Sequence, residues 1–310
     1  MRLILPILAA LILVGCDLDD FGPSDRFRAD FHYTLKPAAR LNVENFNGEI
    51  EIAGWDEPSI EVTGVKYSST EENLKSIAVE IHESTGLTEI HTVRPNTFHG
   101  NQGARYLIRA PRKTQLDRIV SSNGSIRIHD MTSAANIHTS NGPIRVENVS
   151  GGVDAGTSNG SIDIDSVTGK LVLKTSNGRI RAEEITGQCD ADTSNGQVTL
   201  RFKDAPNGPT RITTSNGSVD VTMSRSPKDG IRAETSNGSI TLDLPGDTAA
   251  HLNAQASQSS VSSDFDVADT SEPNKEKHHL EGNIGSGGPT IELTTHNGGI
   301  HIRKSTASSN

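Results

Sequence analysis

The dipeptide Asn-Gly recurs at Asn123, Asn141, Asn159, Asn177 and Asn195 at successive intervals of 18 residues, and then at Asn216 and Asn237 at intervals of 21. A further step of 21 reaches Gln258 in a degenerate unit; the motif returns at Asn297-Gly298, and an early copy stands at Asn47-Gly48. A unit this short cannot bury a core alone, so a repeat held in this register must stack on its neighbours.

The apolar residues keep fixed places in each unit. Two residues beyond the glycine stand Ile126, Ile144, Ile162, Ile180, Val198, Val219, Ile240 and Ile300, and four beyond it Ile128, Val146, Ile164, Ala182, Leu200, Val221, Leu242 and Ile302. Polar residues between them give the alternation of a half-buried strand. A third column runs through Met131, Val149, Val167 and Ile185, followed by a small-residue corner at Ser133, Gly151, Gly169 and Gly187. A last pair closes the unit, as Leu171 with Leu173 or Cys189 with Ala191. Each unit therefore reads as two or three short strands forming one coil. The same pattern excludes helices, because it offers no i, i+3, i+4 face.

Asn-Gly also marks two-residue hairpins. Hairpins would place matched strands on both sides of each turn, whereas these units are asymmetric. The expected fold is an all-β parallel β-solenoid with coils of 18 to 21 residues and an irregular N-terminal β cap. In that fold the repeat glycines supply positive φ at the corner, and stacked asparagines form an amide ladder. Thr139, Thr157, Thr175, Thr193, Thr214 and Thr235 form a parallel column.

Around this array the chain divides into a signal peptide (1–15), a lipidated terminus and tether (16–29), a cap with the first coil (30–120), the repeat solenoid (121–303) and a tail (304–310). The echo of Pro37 to Leu41 in Pro111 to Leu116 starts the first coil near residue 37. The polar stretch of about 264–288 reads as a loop inserted before the last rung.

Residue 2 is arginine and residues 3–14 are almost unbroken apolar, an export signal too short for a stable span. Leu13-Val14-Gly15-Cys16 resembles the bacterial lipobox, which implies cleavage before Cys16 and acylation of its thiol. Each buried acyl methylene contributes roughly 0.8 kcal/mol, and stable anchoring needs more than one chain. The location implied is the bacterial cell envelope: the outer membrane, the cell surface or the periplasmic face of the inner membrane. The other of the two cysteines, Cys189, is then unpaired.

Hydrophobic residues make up 33% and aromatic residues 4% of the chain, which a thin solenoid core tolerates. The formal charge of −10 disfavours phosphate backbones, so nucleic acid is not an expected partner. The expected partners are the membrane, through Cys16, and a surface glycan or envelope protein, with the protein monomeric.

Extracellular β-helices include polysaccharide lyases and hydrolases, which use convergent carboxylates. Asp163, Asp165, Glu183, Glu184, Asp190 and Asp192 are candidates, but Arg, Lys, Asn and Ser surround them, as on a solvated face. The histidines His129, His138, His278, His279, His296 and His301 show no zinc spacing, and the repeat serines belong to turns. The expectation is a protein without catalytic residues, metal or cofactor. The alternative is a carbohydrate-active β-helix enzyme.

The segment beginning at Leu41, LNVENFNGEIEIAGWDEPSIEV, followed by TSNGxIxI units, resembles a bacterial family of uncharacterised β-solenoid domains labelled putative adhesins, often carried on lipoproteins. The resemblance covers most of residues 30–303. It implies the fold and an interaction role, and it assigns no functional residues.

Overall fold

The computed structural model of the chain describes residues 26–94, 101–269 and 278–305. Cys16, the signal segment and residues 306–310 lie outside them.

The chain opens with β1 (Phe27–Leu35), β2 (Arg40–Asn47), β3 (Ile50–Trp55) and β4 (Ile60–Ser68), a short helix α1 (Glu71–Ser76), then β5 (Ala78–Ser84), β6 (Leu87–Val93) and β7 (Gln102–Pro111). The regular repeat starts at β8 (Gln115–Asn123) and β9 (Ile126–Met131). From there each coil contributes one strand to each of two facing sheets, of thirteen and fourteen strands among the described residues. Neighbouring rungs pair in parallel and in register, Ile144 on Ile162 on Ile180 in one sheet and Thr157 on Thr175 on Thr193 in the other. The fold is the expected parallel solenoid, with the isoleucine, valine and leucine columns fully buried between the sheets.

The coil has two strands, not three. In the 18-residue coils the third apolar column belongs to the same strand as the first two, reached through a residue in the left-handed region: Asp130 (φ 61°), Asn148 (55°), Ser166 (55°) and Glu184 (51°). This extra residue acts as a bulge, turning the next side chain back into the core. The 21-residue coils alternate strictly, Val198, Leu200 and Phe202 all pointing inward, and spend their extra residues in a longer corner.

Most repeat glycines do a different job from the one expected. Gly48 (φ 113°) and Gly142 (φ 152°) are at positive φ, but Gly124, Gly160, Gly178, Gly196, Gly217, Gly238 and Gly298 are not. They are required by close approach, since a Cβ on Gly178 would lie 1.9 Å from the carbonyl oxygen of Gly160. Positive φ is instead used at the opposite corner, by Gly152, Gly169 and Gly187.

The order of rungs in space departs from their order in sequence at both ends. The coil of β2 and β3 is stacked between β6 and β7 on one side and β8 and β9 on the other. At the far end, Thr290–Asn297 and Ile300–Ser305 fit between Ile231–Asn237 and Ile240–Pro245 on one side and Ala250–Ala256 and Val261–Ser263 on the other. Followed outward from the middle in either direction, the chain skips a rung, builds the terminal one and returns to fill the gap.

The degenerate unit at Gln258 is therefore the terminal rung, and the Asn297 unit lies inside it, correcting the sequence-order expectation. Ala256 occupies the threonine position opposite Thr295 and has no hydroxyl to continue the column, so the complete motif takes the inner place.

Two smaller expectations also change. The boundary at 120 falls inside β8, because the repeat was phased on its Asn-Gly corner rather than on its strands. The stretch 264–288 carries strands Val267–Asp269 and His279–Ile284, which pair antiparallel and extend the sheet beyond Ala250–Ala256. Residues 270–277 of that stretch lie outside the described ones. The helix exclusion holds within the repeat; outside it α1 forms, where Thr70 accepts a hydrogen bond from the Asn73 backbone N–H at its N-cap, with Glu71 and Glu72 in the first turn.

Candidate interaction surface

Two internal ladders hold the coils at fixed spacing. In the first, each asparagine side chain donates from Nδ2 to Oδ1 of the asparagine one rung below, linking Asn141 to Asn123 (2.8 Å), Asn159 to Asn141 (2.9 Å), Asn177 to Asn159 (3.0 Å) and Asn195 to Asn177 (2.9 Å). The series continues through Asn216, Asn237 and Asn297 at 2.8–2.9 Å. In the second, each buried threonine donates to the carbonyl of the glycine one rung below, Thr139 to Gly124 (3.1 Å), Thr175 to Gly160 (3.0 Å) and Thr295 to Gly238 (2.8 Å). That bond satisfies a hydroxyl which would otherwise cost free energy to bury. The side chains between these columns are thereby presented at regular intervals on a stiff frame.

One face carries paired charges. Arg179 meets Asp163 (3.2 Å), Glu183 is shared by Arg181 (2.8 Å) and Arg201 (3.2 Å), Lys203 meets Glu184 (3.2 Å), and Arg145 pairs with Glu147. Asp165 accepts from Ser166 (2.6 Å). The other face carries Asp190 beside Arg211 and Asp192 beside Lys174 in register. The six carboxylates considered for catalysis are thus divided, four on one face and two on the other, with the core between them.

The histidines are likewise dispersed. His129 lies between Glu51 (3.4 Å) and Asp130 (2.9 Å), and the Asp130 carboxyl is held below its usual range by that hydrogen bond first, with a further one from Asn148. His301 meets the Ser262 hydroxyl (2.8 Å), His279 meets Glu281 (3.3 Å), and His278 bonds the Ser259 carbonyl. Among the described residues no group of three or more His, Cys, Asp or Glu side chains could hold a metal ion. Cys189 is buried, and burial, with Asp190 nearby, pushes its thiol up to about 12.

The second face carries a shallow depression of about 420 Å³. The outward column there reads His138, Gly156, Lys174, Asp192, and the missing side chain at Gly156 makes room for the His138 ring, which covers the glycine. His138 leans across the gap, with Cδ2 2.8 Å from where a Gly156 Cβ would stand. Ser158, Ser176 and Ser194 line the rim. The glycine interrupting that column was the available signal in the sequence. Leu107 is the one exposed large apolar side chain among the described residues, so the outer columns of the coils offer mainly polar contacts.

These features define a stiff two-faced β-solenoid with polar outer columns. The family model of Toastrack DUF4097 matches residues 33–228 and 209–303, and the chain belongs to that family. No curated protein matches the sequence. Among solved structures it is similar to a protein of Clostridium sporogenes described as a "putative cell adhesion protein", at 12% identity, with 90% of this chain and 100% of that one covered and a TM-score of 0.26. It is also similar to a "putative adhesin" of Bacteroides fragilis (10% identity, 91% and 99% covered, TM-score 0.40) and one of Parabacteroides merdae (10%, 90% and 97%, 0.40).

Proposed function

We propose that the protein is lipid-anchored in the bacterial cell envelope through Cys16 and works as a non-catalytic adhesin or scaffold, its solenoid presenting a polar surface to a glycan or envelope protein. The observation that carries this reading is the outer surface. Rows of polar side chains stand on a frame fixed by the asparagine and threonine ladders, and the depression at Gly156 gathers a histidine, a lysine, a carboxylate and three serines within reach of one polar ligand. Convergent polar groups suit a hydroxyl-rich partner, which can hydrogen-bond to them, better than an apolar one, which would desolvate them unpaired.

Protease shaving of intact cells, combined with binding of the purified protein to isolated envelope glycan, tests the reading. Digestion of the solenoid on intact cells places it outside, where an adhesin acts, whereas protection followed by binding to envelope material supports a periplasmic scaffold. Glycan binding lost on Lys174→Glu supports the depression as the contact. Turnover of a polysaccharide by the purified protein would overturn the non-catalytic reading.

A further inference from the structure

The ends of the two sheets are not equally protected. At the C-terminal end both described edges are strands of three residues, Val261–Ser263 and Val267–Asp269. Edges that short offer little to pair with. At the N-terminal end one sheet finishes on β1, nine residues long, which among the described residues pairs only with β4, Phe31 opposite Gly64 and Leu35 opposite Ile60.

The β1 strand alternates strictly. Phe27, Ala29, Phe31 and Tyr33 point to the core side and stay half-buried, while Arg28, Asp30, His32 and Thr34 point outward. The aromatic groups are already organised, Phe31 lying 6.0 Å from Tyr33 and 5.3 Å from Tyr106 between ring centroids. Gly64 makes room for them, because a Cβ there would meet the Phe31 ring at 2.4 Å. An edge strand with a half-covered apolar row and ordered aromatic rings is an incomplete interface.

We propose that β1 pairs antiparallel with β1 of a second copy of this chain, about a two-fold axis through Phe31. That register sets Phe31 against Phe31, Phe27 against Leu35 and Ala29 against Tyr33 on the core side, a small residue meeting a large one. On the outer side it sets Asp30 against His32 of the second copy, twice by symmetry, and Arg28 against Thr34. Cross-strand aromatic and opposite-charge pairs stabilise an antiparallel pair, and like charges destabilise it. An isologous contact of this kind closes the dimer. The two solenoids become one continuous sheet, which pairs the longest edge left open among the described residues. The second N-terminal edge, β5, meets the test only in part: centring it on Ile81 sets Glu80 against His82 of a second copy, but places Glu83 opposite Val79 on the other side, and the strand has seven residues against nine in β1. This inference is independent of the proposed adhesive role, and it replaces the monomer expected from the sequence.

Sedimentation equilibrium of the full-length protein in density-matched detergent, together with disulfide formation by Phe31→Cys, tests it. Residues facing each other across such an axis have Cα atoms about 4.5 to 5.5 Å apart, within disulfide range; Cys189 is buried and does not compete, and Cys16 is replaced by serine in the cross-linking variant. The expected result is a dimer that cross-links through position 31. It dissociates in His32→Asp, where carboxylates face each other, and is restored in Asp30→Lys/His32→Asp. Both positions are exposed, but His32 stands 3.9 Å from Glu61 of its own chain; the double variant keeps that new carboxylate pair while restoring the dimer, which separates lost pairing from a local effect, and circular dichroism checks that the fold is kept. A monomer at every concentration, or a dimer indifferent to His32→Asp, overturns the proposal.

Discussion

The Gly160 carbonyl oxygen lies where the next rung leaves no room for a side chain: a Cβ on Gly178 would stand 1.9 Å from it. The contact is backbone against backbone and cannot relax by rotating a side chain. Gly178→Ala should therefore cost about 1–3 kcal/mol or more, read as a lower urea midpoint. Gly246 has nothing within 4 Å of its Cβ position and no positive φ. Gly246→Ala should be neutral, or stabilising by about 0.4–1 kcal/mol through the unfolded state.

The asparagine ladder is directional, each side chain donating downward and accepting from above. Asn177→Asp keeps an acceptor for Asn195 but cannot donate to Asn159, and sets a carboxylate oxygen against the Asn159 amide oxygen. Loss of one such bond costs about 0.5–1.5 kcal/mol, and the repulsion adds to it. Because the protonated acid could donate again, the folded state raises the pKa of this introduced group. The sign follows: the variant's deficit should shrink as pH falls toward the carboxyl range and be largest at neutral pH, in paired urea titrations of variant and parent.

Alkaline conditions should weaken the fold through Cys189. Burial holds its thiol protonated in the folded state, moving it from 9.0 to about 12, so the unfolded chain loses the proton first. Stability then falls as pH rises through that window, by up to about 1.4 kcal/mol per pH unit for one proton. Tyr106 moves upward for the same reason, burial. Cys189→Ala, matching the alanine at position 135 of the same column, should flatten the decline. Alkylation of Cys189 in the parent should require unfolding.

Glu184 adopts φ 51°, a region costly for a side chain that cannot bond its own backbone. Asn148 occupies the equivalent place two coils earlier. Glu184→Asn should raise stability by about 1 kcal/mol, less the small contribution of its exposed pair with Lys203. A rise in thermal midpoint without a change in the circular dichroism spectrum would show it; no rise would mean that the coil accommodates glutamate without strain.

The solenoid was legible because its columns are local. Ile126, Ile128 and their counterparts repeat at one spacing, and Asn-Gly marks every coil. The two-strand coil was less clear, since the left-handed residues at 130, 148, 166 and 184 differ in type and only their backbone is shared. Rung order at the ends was hidden because periodicity records how a rung is built and says nothing of which rung it joins. The difference between Ala256 and Thr295 carried that information, through one hydroxyl. At the surface, the gap at Gly156 could be read from its column, whereas the edge left by β1 required the sheet order. The lipid anchor at Cys16 rests on the sequence alone.

Asparagine followed by glycine is the pair most prone to spontaneous deamidation, in which the glycine nitrogen attacks the asparagine side-chain carbonyl. Here that nitrogen is held in place: Gly124 N–H donates to the Asn141 carbonyl (2.9 Å), Gly178 to Asn195 (3.0 Å) and Gly217 to Asn237 (3.1 Å). The intact coil thus protects a series of chemically fragile bonds, and each lapse in stacking exposes one of them to an irreversible change. Its product, an aspartate or isoaspartate in the ladder, cannot donate to the rung below. Damage at one coil would loosen its neighbour, so the age of a molecule would be written along its axis, and peptide mapping of aged protein should find modified sites clustered rather than scattered.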